Sequence, residues 1–129
     1  MKAGSIISLA AANGLIATAL AALGSHTLAG RFAEGDQALF TLAANFQLMH
    51  ALALFGPAFL ASHGIGNWAT RAAVLFNVGI ATFSGSLYFR AVWGAGSLGD
   101  FHWVTPLGGM ALMLGWIFLA VGGWRARTA

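Results

Sequence analysis

The sequence predicts an all-α protein, an antiparallel four-helix transmembrane bundle with short loops, and three observations carry the expectation. Hydrophobic residues fill 59% of the 129 positions, and mean hydropathy is +0.80. Six basic and three acidic residues make only 7% of the chain, and they fall at the ends of apolar stretches or between them. The apolar stretches number four, each near the roughly 20 residues that a helix rising about 1.5 Å per residue needs to cross about 30 Å of hydrocarbon. So little polar surface cannot coat a water-soluble globule of 13.3 kDa. Residues 1–129 are therefore read as a single integral-membrane domain.

The first span covers residues 5–28. Lys2 precedes it and Ala22-Leu23-Gly24 is a passable signal-peptide cleavage triplet, yet the apolar run continues to span length, which favours a retained helix. Ala10, Gly14, Ala17, Ala21 and Ser25 form a narrow ridge of small residues along it. The second span, residues 38–60, holds Asn45, Gln47 and His50; the third, residues 69–92, holds Asn77 and the small pair Ala81 and Gly85. The fourth, residues 104–124, opens on Thr105-Pro106-Leu107-Gly108-Gly109. Proline is tolerated in a first turn, where its missing N–H has no intrahelical acceptor, and Thr105 can help cap the start. Gly108 and Gly109, then Ala111 and Gly115, admit close approach of another helix. The connections at 30–37, 61–68 and 93–103 are short, which makes successive helices antiparallel neighbours and puts both termini on one side. A β-barrel lacks its series of alternating segments of about ten residues, and a soluble bundle lacks the polar helix faces that water requires.

Lys2, Arg71, Arg125 and Arg127 lie on the side of the termini, against Arg31 and Arg90 on the other, so both termini are expected in the cytoplasm. Trp68 and Trp124 mark one interface, Trp93 and Trp103 the other, and Trp116 alone sits well inside a span. Cysteine is absent, which excludes disulfides, thiolate nucleophiles and cysteine-held metals. The net charge of +3 is split between two membrane faces. It forms no patch for nucleic acid, and membrane lipid headgroups are its expected partners.

Polar side chains inside the spans need hydrogen-bond partners in hydrocarbon, so Asn13, His26, Asn45, Gln47, His50 and Asn77 are expected to face other helices. Counting depth at about 1.5 Å per residue sets Asn13, His50 and Asn77 at one level, roughly 12–15 Å from the terminus-side boundary. They form a candidate polar layer, either fixing helix register or serving an ion, proton or small-molecule path. His26 lies near the far boundary, where Thr41, Tyr88, Arg90 and Thr105 complete a candidate interface site and Arg31, Glu34 or Asp36 are within reach. Helix-end capping and headgroup contact are its ordinary role, with histidine titration near neutrality as the alternative. The same ruler separates His26 from His50 by about 15 Å, too far for two ligands of one haem. No carboxylate lies within a span, so no metal or other cofactor is expected. No Gly-x-Ser-x-Gly elbow or Walker loop occurs, and no catalytic residue is nominated.

With those residues in place, the chain resembles the bacterial integral-membrane family called domain of unknown function 423, itself similar to a small eukaryotic transmembrane family. The landmarks are the segments from Leu23 to Leu28, from Asn45 to Leu54 and from Phe83 to Tyr88, then Thr105 to Gly109 followed by Gly115-Trp116. They occur in the family's order over nearly the whole chain. Ser25 stands where the family pattern usually has Ala, and Asn45 where it often has Tyr. The resemblance implies a small multispan protein of the bacterial inner membrane and no defined active residue. A noncatalytic structural, assembly or accessory role, alone, as a homo-oligomer or in a larger membrane complex, is the first functional expectation. An oligomeric transporter or channel is the second, and a membrane enzyme the third.

Overall fold

The structure, a computed structural model, describes residues 1–128. Four helices long and apolar enough to cross a membrane take up most of the chain: α1 (Ala3–Thr27), α2 (Asp36–Ser62), α3 (Gly66–Trp93) and α4 (Val104–Thr128). No strand occurs among the described residues, and the architecture is the expected all-α four-helix bundle. Gly64 and Gly94 follow α2 and α3 with φ of 81° and 98°, a left-handed backbone that costs glycine nothing and stops a helix.

Three of the helices are not regular throughout. α1 widens into a π-helical turn at Leu23–Thr27, and α3 does so at Ile80–Ser84 in mid-span. α2 is interrupted at Leu54, between Asp36–Ala53 and Phe55–Ser62. Pro57 explains that interruption: it has no N–H for the carbonyl of Ala53, and its ring crowds the preceding turn.

Contacts at the helix ends record the antiparallel order. On the terminus side, the Met1 amino group donates to Thr70 Oγ1 at 2.5 Å, and the Arg125 guanidinium lies 5.8 Å from the Trp68 ring centre. On the other side, Gln37 Nε2 donates to the Gly24 carbonyl at 3.1 Å. There too the hydroxyls of Ser86 and Thr105 pair at 2.6 Å. Thr105 thus ties α4 to α3, where the sequence suggested a helix cap.

α2 and α3 bury 39% and 44% of their most apolar stretches against 17% for α1 and for the last helix, so the middle two form the centre of the bundle. α1 packs chiefly on α2, and α4 on α3. Ile6, Leu54 and Phe76 are fully buried, among small residues such as Ala10, Ala69 and Ala73. Lipid tails are as apolar as these side chains, so the attraction is close packing rather than escape from water. A methyl group at Gly115 would stand 2.6 Å from the Phe76 ring; the bare backbone there lets α4 settle against α3. The small ridge of α1 is only partly used, since Ala10 and Ala17 are buried while Ala21 and Ser25 are exposed.

Candidate functional site

Asn13 lies ten residues into α1, Gln47 eleven into α2 and Asn77 eleven into α3, each about 15–17 Å from its helix start and so near mid-span. The structure joins them in one directed chain. Tyr88 Oη donates to Gln47 Oε1 at 2.8 Å, Gln47 Nε2 donates to Asn13 Oδ1 at 3.2 Å, and Asn13 Nδ2 donates to Asn77 Oδ1 at 3.0 Å. Asn77 Nδ2 ends the chain on the Ala73 carbonyl at 2.8 Å, and Asn13 Nδ2 also reaches the Leu9 carbonyl at 3.0 Å. The path starts and finishes on α3 after crossing α2 and α1, and each amide in it both donates and accepts. In a low-dielectric interior such a satisfied series is strong, and losing one member strands its neighbours. These four residues, with Ser84 and Gly85, line a cleft of about 310 Å³ between α1 and α3.

His50 does not belong to this chain, which corrects the expected layer of Asn13, His50 and Asn77. Residues three apart on a helix differ by about 60° in direction, and that rotation turns Gln47 toward α1 while His50 faces α4. Its Nε2 accepts from Trp116 Nε1 at 3.1 Å, and its Nδ1 lies 2.8 Å from the Phe46 carbonyl. A carbonyl can only accept, so the proton sits on Nδ1 and the neutral ring satisfies both bonds. The imidazole is buried among Phe46, Phe76 and Trp116, with ring centres 5.5–5.8 Å away. Neither nitrogen keeps a free lone pair for a metal, and no group of three or more His, Cys, Asp or Glu gathers among the described residues.

The expected interface site disperses. His26 is exposed with no side-chain hydrogen bond, Thr41 is exposed on the outside of α2, and Tyr88 joins the amide chain. Arg90 and Thr105 do share a surface hollow of about 330 Å³, together with His102. Matching depth placed these five together; helix rotation separates them. Asn45 is likewise exposed, against the expectation that every polar side chain in a span faces another helix.

Three contributors were not nominated from the sequence. Depth counting leaves Gln47 out of the layer, the aromatic pattern marks Trp116 only as a tryptophan away from the interfaces, and Ser84 enters only within the segment from Phe83 to Tyr88. Ser84 Oγ donates to the Ala43 carbonyl at 2.8 Å, a buried tie between α3 and α2. The usable signal for Gln47 was its place on the same helix face as Phe40, Ala43 and Ala44, all buried.

The family described as "Protein of unknown function (DUF423)" matches residues 20–109. The chain is 39% identical to the UPF0382 membrane protein YwdK of Bacillus subtilis over 117 residues, covering 89% of this chain and 92% of that one. It is 31% identical to the UPF0382 inner membrane protein YgdD of Escherichia coli over 122 residues, covering 95% and 91%. It is also 31% identical to a UPF0382 membrane protein of Staphylococcus epidermidis over 115 residues, covering 89% and 91%. No solved structure matches the chain.

Proposed function

We propose, from the premise that this chain belongs to the DUF423 family of bacterial membrane proteins, that it serves a noncatalytic structural or assembly role in the inner membrane. The observation that carries this reading is the closed amide chain from Tyr88 through Gln47 and Asn13 to Asn77. Each of its amides both donates and accepts, with one another, the Tyr88 hydroxyl or a backbone carbonyl as partner, the arrangement expected of a clasp that fixes three helices in register. A proton path needs groups that exchange protons; this chain holds three amides and a phenol. Both termini are placed in the cytoplasm, a reading supported by Lys2, Arg71, Arg125 and Arg127 on their side of the bundle.

The cleft lined by Asn13, Gln47, Asn77 and Tyr88 supports transport of an ion or small solute as the second reading. Four spans leave little room for a path within one copy, so transport would draw on an oligomer. Reconstitution in liposomes with ion- and proton-sensitive dyes separates the two readings. The structural role predicts flux indistinguishable from empty liposomes; reproducible flux lost in Gln47→Leu or His50→Ala, with the protein still folded and assembled, would overturn it.

A further inference from the structure

Uncharged polar side chains lie five or more residues inside the four long helices at many positions, and nearly all are satisfied within the chain. Ser8, Thr18 and Thr82 donate to the carbonyl four residues back, while the amide chain, Ser84, Ser86 and Trp116 bond across helices. Of the described uncharged polar residues at that depth, Thr41 and Asn45 alone form no side-chain hydrogen bond, and both are exposed. Asn45 sits nine residues, about 14 Å, into α2. At that depth neither water nor headgroups satisfy a primary amide, and an unpaired one in hydrocarbon is costly.

Position on the helix says what would satisfy it. Gln47, His50, Ala51 and Leu54 face the bundle centre, and at 100° per residue Asn45 points about 180° away from them. Ala38, Thr41, Asn45, Leu48 and Leu52 are spaced alternately three and four residues apart, and all are exposed. This is the a/d stripe of a two-stranded coiled coil with one asparagine at an a position, the device that fixes register and pairing in such seams. An amide both donates and accepts, so two Asn45 side chains complete each other across a two-fold axis. Copies inserted in one membrane with one orientation run α2 parallel to α2, as the stripe requires.

We propose that the outer face of α2 is a homodimer interface, a left-handed parallel seam in which Asn45 pairs with Asn45 of a second copy. The inference rests on the assembly reading and names the partner. Leu52, 63% exposed on the stripe, becomes a buried knob in that dimer, whereas Leu15 of α1 and Met113 of α4, 73% and 61% exposed, stay in lipid.

The chain has no cysteine, so single substitutions report proximity directly. Leu48→Cys, Leu52→Cys, Leu15→Cys and Met113→Cys are placed one at a time in the full-length protein and oxidised in native membranes. Disulfide dimers are expected at Leu48→Cys and Leu52→Cys and not at Leu15→Cys or Met113→Cys. Equal cross-linking at all four positions, or none at the two stripe positions, would overturn the seam. Energy transfer between labelled copies diluted in liposomes then tests the amide itself. Asn45→Leu should weaken association about three- to thirtyfold, with Asn45→Gln closer to the parent; an unchanged Asn45→Leu dimer would overturn the amide pairing. Dimers cross-linked only through α1 or α4 would sink this seam and leave the assembly reading standing. Monomers that support solute flux would sink both.

Discussion

Gln47 holds the middle of the amide chain, and its removal is felt on two sides at once. Gln47→Leu strands the Asn13 carbonyl oxygen and the Tyr88 hydroxyl. The expected destabilisation is about 1–3 kcal/mol, the sum of two bonds at about 0.6–2 kcal/mol each, less what relaxation recovers. Unfolding in mixed micelles measures it; an unchanged midpoint would mean that the chain contributes nothing to stability. Asn13 and Asn77 are suited to a double-mutant cycle with Asn13→Ala and Asn77→Ala, and the expected coupling is about 0.6–2 kcal/mol. Trp116→Phe keeps an aromatic ring beside Phe76 but removes the donor to His50 Nε2. A loss of about 1 kcal/mol is expected in the same assay, the usual net worth of one buried hydrogen bond.

At the scale of the helices, glycine decides how near α4 comes to α3. A side chain at Gly115 would collide with Phe76, which is fully buried and has nowhere to turn, so Gly115→Leu should force the pair apart. A loss of about 1–3 kcal/mol is the expected overpacking cost. Gly14→Ala is the control, since nothing lies within 4 Å of the added methyl group; it should be neutral or stabilise by up to about 1 kcal/mol through helix propensity. Parallel thermal unfolding of the two variants checks the contrast, and equal destabilisation would refute this account of the α3–α4 contact. The interruption of α2 ahead of Pro57 belongs to the same scale: it follows from one missing donor and was open to inference from the sequence.

For the whole molecule, the prediction is topological. Reporter fusions after Thr128 and in the three connections should alternate between compartments, with the last fusion and the 61–68 connection in the cytoplasm. The contacts of Met1 with Thr70 and of Arg125 with Trp68 place both termini and that connection at one end of the bundle. A reporter after Thr128 active outside the cytoplasm would refute the orientation. Arg71 and Arg125 are held against the Trp68 ring, at 5.3 and 5.8 Å, so two of the basic residues on which the proposed orientation rests also form part of the packed rim.

Composition, span length and the lack of alternating ten-residue segments determined the class of this protein, because a chain with 7% charged residues and no barrel pattern satisfies its backbone in lipid by forming apolar helices. Depth along each span was legible too: a fixed rise per residue put Asn13 and Asn77 at one level, and they bond. Rotation about each helix was not legible, because apolar residues surround all four and no polar face marks the side turned to lipid. Tertiary packing therefore chose Gln47 over His50 as the partner of Asn13 and turned His50 to Trp116. It also separated His26 from Tyr88 and left Asn45 outside the bundle. Each of those outcomes depends on a helix's angle about its own axis, which is set by the neighbour it packs against rather than by its own residues.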